Sequence, residues 1–241
     1  MREAGQPVLG MILPAAGQGV AEAEAMYRRG VGFISETVGL QSLNRDGYDG
    51  VVDRIAPAAR RLAERGADAV MLMGTSLSFY NGLSFNARLR DQIAAESGVP
   101  ALTMSDAIVA ALRALGSRRV AVATAYGDEV NDQLRGYLTE EGFTVLAVRG
   151  LGISAIGGGA LDRVTTDDLV TLGCAATSAE AGADVLLLSC GGLRTLDALQ
   201  PLEDATGIPV VSSFPHALWA GMALLDLPRA LTGYGTLLAR G

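Results

Sequence analysis

The chain has no lysine: every one of its 19 basic residues is arginine, against 26 Asp and Glu, in 241 residues. A chain without lysine forms no Schiff base with pyridoxal phosphate or a carbonyl substrate, has no Walker A lysine and carries no biotinyl-lysine. The arginine bias fits the codon usage of a GC-rich genome, and the chemical exclusions hold either way. There is one histidine, His216, which leaves no HExxH metal site and no multi-histidine zinc cage. The two cysteines, Cys174 and Cys190, are too few for a disulfide framework in a chain this long, so a reducing cytoplasm is the expected compartment. The net charge of −7 comes without a basic stripe, and no nucleic-acid partner is expected. Arg28-Arg29, Arg60-Arg61 and Arg118-Arg119 read as solvated faces. No uncharged apolar run reaches the roughly 18 residues of a membrane span, so no membrane partner is expected either. The N-terminal apolar run, Pro7 to Ala16, reads as a first buried strand rather than as a signal peptide.

What the chain does have is a high apolar content, 49%, and 31 glycines. At this length roughly 70% of the unfolded surface can be buried without a metal or disulfide staple. Short apolar runs alternate with longer amphipathic segments. Strands are expected at Val8–Leu13, Ala69–Met73, Ala101–Met104, Val120–Thr124, Thr144–Val148, Val185–Ser189 and Val210–Ser212. Helices are expected at Tyr48–Arg65, Leu83–Ser97, Asp106–Leu115, Asp128–Glu141 and Thr165–Ala181. Near-continuous apolar strands separated by helices indicate α/β architecture, with parallel sheets covered on both faces. Gly150–Gly159 reads as a loop, since it lacks the strand–helix context of a dinucleotide fingerprint.

An internal repeat organises these elements. Gly66-Ala67-Asp68-Ala69-Val70-Met71-Leu72-Met73-Gly74-Thr75-Ser76 matches Gly182-Ala183-Asp184-Val185-Leu186-Leu187-Leu188-Ser189-Cys190-Gly191-Gly192. Gly98-Val99-Pro100 then matches Gly207-Ile208-Pro209 in the same order. Two similar α/β halves follow, related by a pseudo-twofold axis with a boundary near Gly116-Ser117. Residues 1–116 with 213–241 are expected to form one half, and 117–212 the other. Ligands of open α/β sheets bind outside the carboxyl ends of strands, so the loops at Gly74 and Cys190 should face one substrate from two sides. In this alignment the counterpart of Cys190 is Gly74.

Cys190 follows a buried strand and precedes two glycines and a helix beginning near Thr195. In that setting a thiol serves as nucleophile or as acid and base, unless it is a small buried hydrophobe. Cys174 lies mid-helix and reads as core. Thr75, Ser76 and Ser78 form a hydroxyl-rich loop, and Tyr126 follows another strand. Hydroxyls and backbone N–H groups at strand ends suit a carboxylate or a developing enediolate, although Ser and Thr also cap helices. His216, with no acid nearby in sequence, reads as structural.

The half-repeats and Leu188-Ser189-Cys190-Gly191-Gly192-Leu193 resemble the aspartate/glutamate racemase superfamily. Met73-Gly74-Thr75-Ser76-Leu77-Ser78-Phe79-Tyr80 and Ala123-Thr124-Ala125-Tyr126 are similar to the arylmalonate decarboxylase family within it. The resemblance covers nearly the whole chain. Racemases of the superfamily use one cysteine from each half, and here one of the two is Gly74. The resemblance therefore implies decarboxylation of an α-aryl or alkenyl malonate, a small dicarboxylate, with no cofactor and no metal. It implies that Thr75, Ser76, Tyr126 and backbone N–H groups around Ser76 and Cys190-Gly191 hold the enediolate while Cys190 protonates one face. It further implies an apolar pocket for the departing CO₂, made by Pro14, Leu40, Leu43, Tyr48, Leu77 and Ile156. Pro14-Ala15-Ala16 departs from the family pattern, which has a second proline, and Gly152–Gly159 has more glycine and less bulk than that pattern; both departures bear on substrate size. A monomer is expected. The residues leave open a racemase or cis–trans isomerase of the same superfamily, and a non-catalytic carboxylate-binding protein.

Overall fold

A computed structural model describes residues 5–16, 19–156 and 159–241. Part of the Gly150–Gly159 loop, Gly157 and Gly158, lies outside them. Two four-stranded sheets, parallel throughout, carry the fold. The first contains β1 (Val8–Leu13), β2 (Gly32–Thr37), β3 (Ala69–Leu72) and β4 (Ala101–Thr103) in the order β2-β1-β3-β4. The second contains β5 (Arg119–Thr124), β6 (Thr144–Gly150), β7 (Val185–Ser189) and β8 (Val210–Ser212) in the equivalent order β6-β5-β7-β8. β1, β3 and β7 are buried at every position, as strands covered on both faces must be.

Seven strands lie where the apolar runs place them. β2 was not anticipated: it is an edge strand, Gly-Phe-Ile-Ser-Glu-Thr, half buried and ending on charged and polar residues, so it lacks a continuous apolar run. The helix expected at Tyr48–Arg65 is instead broken. Its parts are α2 (Arg45–Asp49), one 3₁₀ turn at Val52–Arg54, and α3 (Ile55–Glu64). Asn44 starts α2 early, its side chain accepting from Gly47 N–H at 2.9 Å. The remaining helices are α1 (Val20–Met26), α4 (Thr75–Phe79), α5 (Leu83–Ser97), α6 (Met104–Ala114), α7 (Asp128–Glu140), α8 (Thr166–Ala179), α9 (Leu199–Thr206), α10 (Ser213–Leu224) and α11 (Thr236–Arg240).

The repeated residues do the same work in each half. Asp68 accepts from Val8 N–H at 2.8 Å, and Asp184 accepts from the N–H groups of Arg118 and Arg119 at 3.0–3.2 Å. Each aspartate thus ties the start of its half's central strand. Gly98 and Gly207 end α5 and α9 in the left-handed conformation, at φ 70° and 71°, where a side chain would be strained. The prolines that follow present carbonyls to Val70 and Leu186 at 2.9 and 3.0 Å. α6 and α10, the helices after β4 and β8, pack on each other; α6 also touches β8, and α10 touches β3 and β4. These crossed contacts join the sheets and set the ends of β3 and β7 across a cleft.

Among the described residues no helix is long and apolar enough to cross a membrane, and no group of three or more His, Cys, Asp or Glu is placed to hold a metal ion.

Candidate active site

β3 runs into Met73 and Gly74, and β7 into Cys190; these two loops meet at one cavity. Gly74, Thr75 and Ser76 line it from the first half, and Tyr126, Cys190, Gly191 and Gly192 from the second. The loops approach so closely that a Cβ on Gly191 would stand 3.0 Å from Met104 Sδ and 3.1 Å from the Met73 carbonyl oxygen. A side chain there would push the halves apart, which is the reason for glycine after Cys190.

Cys190 is 4% exposed. Burial pushes its thiol above the usual value of 9.0, against the opposing pull of Gly192 N–H, the Tyr126 hydroxyl and Leu193 N–H. Desolvation is the dominant cause, and the group is a neutral thiol at neutral pH. Tyr126 is held far above its ordinary pKa, first by burial and then by the nearby Cys190 and Tyr48, with the Ser76 and Ser189 hydroxyls drawing it back. The lining residues among those described include no charged side chain. A carboxylate entering this cavity meets neutral donors and no counter-ion.

Thr75 and Ser76 open α4, so their backbone N–H groups have no intrahelical acceptor. The Thr75 hydroxyl rests 2.8 Å from Met104 Sδ, a weak acceptor it can leave for a stronger one. Ser78 faces the other way. Its hydroxyl donates to Thr75 O at 2.8 Å and lies 2.6 Å from Ser105 Oγ, so it braces the loop and is not a cavity hydroxyl. The N–H of Cys190 itself is also committed, donating to Ser213 Oγ at 3.1 Å.

Pro14, Leu40, Leu43, Leu77 and Ile156 all line the cavity. Main-chain bonds pin this wall: Leu40 N–H to Pro14 O at 2.8 Å, Leu43 N–H to Ser154 O at 2.8 Å, and Ile156 N–H to Gln41 O at 3.0 Å. Tyr48 does not line it. Its fully buried ring packs on Tyr80, with centroids 4.9 Å apart, and its hydroxyl lies near Ser76 and Cys190. The Tyr48 hydroxyl is buried with no hydrogen-bond partner among the described residues, and burial raises its pKa, with Ser76 opposing. Leu13, Gly19, Leu161 and Phe214 line the cavity without having been anticipated. They are ordinary apolar positions far apart in sequence, and no motif marks them.

The family model of arylmalonate decarboxylase matches residues 9–238. The chain belongs to the arylmalonate decarboxylase family. Arylmalonate decarboxylase of Bordetella bronchiseptica is 45% identical over 239 residues, 98% of each chain. The structure of unliganded arylmalonate decarboxylase superposes with a TM-score of 0.87 at 45% identity, covering 98% of this chain and 100% of that one. A liganded mutant of arylmalonate decarboxylase, with one glycine changed to cysteine and one cysteine to serine, gives 0.93 at 44% identity over the same shares. The maleate isomerase of Nocardia farcinica is more distant, 26% identical over 250 residues, 95% of this chain and 94% of that one.

His216, on α10, accepts from Ser212 N–H through Nδ1 at 3.0 Å and so caps its own helix. Full burial depresses its pKa from 6.5 to about 4. A depressed histidine contributes stability that is complete above the unfolded value of 6.5 and is lost as pH falls toward 4, because the unfolded chain takes up the proton first. The loss across that window is about 3 kcal/mol. His216→Asn keeps an acceptor without the titration. Urea midpoints at pH 7, 5.5 and 4.5 should fall more steeply for the natural chain than for the variant; parallel slopes would refute the assignment.

Proposed function

We propose that this chain decarboxylates α-aryl or α-alkenyl malonates without a cofactor and protonates the product on one face through Cys190. The observation that carries the reading is the pairing at the cleft: one thiol, kept neutral by burial, faces Gly74 at the position related to it by the repeat. The wall of Pro14, Leu40, Leu43, Leu77 and Ile156 takes one carboxylate. Poorly solvated there, it departs as neutral CO₂ when the C–C bond breaks. The bonding pair passes into the remaining carboxylate, giving a planar enediolate. The hydroxyls of Thr75, Ser76 and Tyr126, with the N–H groups of Ser76 and Gly191, hold it, and each preorganised donor of this kind contributes about 3–4 kcal/mol to the transition state. Cys190 then transfers its proton to the α-carbon, and the thiolate regains one from solvent. Each turnover consumes one proton and releases one CO₂.

The site is supplied by one chain: residues 1–116 with 213–241 give the Gly74 loop and 117–212 the Cys190 loop. A monomer is sufficient for the reaction.

The test is an indicator-dye or CO₂ assay with phenylmalonate, maleate and single enantiomers of amino acids, run without added cofactor. CO₂ with proton uptake from phenylmalonate is the expected result. Fumarate from maleate, or α-deuteration with inversion of an amino acid in D₂O, without CO₂ from phenylmalonate, would place the chain with the isomerases or racemases instead.

A further inference from the structure

The first turn of α6 reaches both cavity loops. Met104, its first residue, is fully buried and is not among the residues that line the cavity. Its sulfur accepts from the Thr75 hydroxyl at 2.8 Å. It also meets the second loop: a Cβ on Gly191 would stand 3.0 Å from its Sδ and 3.1 Å from its Cε. One thioether thus touches the Gly74 loop and the Cys190 loop together. Ser105, the next residue, holds the same threonine by its backbone, its hydroxyl donating to Thr75 O at 3.3 Å.

The turn that carries Met104 is anchored. Thr103 N–H donates to Asp106 Oδ2, and the Thr103 hydroxyl accepts from Asp106 N–H, both at 3.1 Å, a closed capping box. The same hydroxyl donates to Asn86 Oδ1 at 2.6 Å, and Asn86 Nδ2 donates to Asp106 Oδ1 at 2.7 Å. What the Thr75 hydroxyl meets is therefore set by the side chain at 104. A threonine hydroxyl has one proton to give, and a thioether is a weak acceptor for it. A carbonyl or carboxylate oxygen in that place would keep the proton from a ligand. An aliphatic side chain would leave a buried hydroxyl free to turn toward its own backbone.

We propose that Met104 is a positioning residue for the decarboxylation: its sulfur holds the Thr75 hydroxyl at the junction of the two loops while the cavity is empty, and yields it to the enediolate oxygen as charge develops there. The inference rests on the decarboxylase reading and adds to it a residue that does not touch the substrate and acts through Thr75.

The test is a set of double-mutant cycles read as kcat and KM for phenylmalonate. Met104→Leu keeps apolar bulk without the acceptor, and Met104→Gln keeps the length and supplies a carbonyl. Each is made in the natural chain, in Thr75→Val, which removes the hydroxyl, and in Thr75→Ser, which keeps it. Far-UV circular dichroism checks every fold, and the leucine variant carries the test if the glutamine variant does not fold. In the natural chain Met104→Gln should lower kcat at least tenfold, toward the loss of an oxyanion donor, and Met104→Leu about fivefold, with KM within about threefold. In Thr75→Ser both costs should be at least as large. In Thr75→Val both should shrink to within about twofold, since no hydroxyl is left to position. Equal costs with and without the hydroxyl, no cost in the natural chain, or no cost in Thr75→Ser overturns the inference and leaves the decarboxylase reading standing. Absence of CO₂ from phenylmalonate with the natural chain overturns that reading itself.

Discussion

Cys190→Ser lowers kcat for decarboxylation by about 10³, within the range that one positioned proton donor supplies. A hydroxyl in the same place is too weak an acid to quench the enediolate, while the donors that stabilise it stay in place, so KM should move by no more than a few-fold. The pH profile gives the second half of the test. The reaction needs the protonated thiol, and burial raises its pKa above 9.0, so kcat in the natural chain stays level through neutral pH and falls only on the alkaline side of that value. The variant lacks that alkaline limb. The same raised pKa gives a folding contribution present below the unfolded value and lost as pH rises through the folded one. A variant that keeps activity within a few-fold would end the assignment of Cys190 as proton donor.

Gly74→Cys introduces a reaction that the natural chain lacks. Two-base racemisation needs an acceptor on one face of the α-carbon and a donor on the other, and Gly74 occupies the second position with no side chain at all. A Cβ at residue 74 would stand 3.1 Å from Leu77 Cβ and 3.2 Å from Pro14 Cγ, so both neighbours yield by a few tenths of an ångström and the thiol enters the cavity. In D₂O the variant should exchange the α-hydrogen of a single 2-arylpropionate enantiomer with inversion, at least tenfold above the natural chain. Its decarboxylation product should be less enantiopure. Gly74→Ala, which adds the same Cβ and no base, should show neither effect. Inversion in the alanine variant, or none in the cysteine variant while it still decarboxylates, would sink the two-face account.

These expectations show what can be read along a chain. Buried parallel strands announce themselves as unbroken apolar runs, and the two Gly-Ala-Asp repeats located both cavity loops because each aspartate ties a central strand, as Asp68 and Asp184 do. The edge strand β2 and helix α10 gave no such signal. β2 is mixed in polarity, and α10 is buried nearly all round, so neither shows the period of a one-sided element. Within the site, residue types were legible and directions were not. Ser78, two positions after Ser76, points into the α6 contact, the Tyr48 ring packs on Tyr80 and is not among the lining residues, and the Cys190 amide donates to Ser213. Phe214 was hidden for a different reason: what makes it part of the cavity is a glycine almost two hundred residues away in the chain.

The matching strand orders of the two sheets have a consequence for chirality. A homodimer built on a true twofold axis presents the same atom to both faces of a ligand on that axis, so every thiol in its cleft has a twin. Joining the two copies in one polypeptide frees each loop to mutate alone, and this chain carries Gly-Thr-Ser on one side and Cys-Gly-Gly on the other. A planar intermediate held between unlike faces receives its proton from one of them. That yields a single enantiomer only when the substituents of the intermediate are also held in one orientation, so handedness needs both the unlike halves and the contacts that orient the substrate.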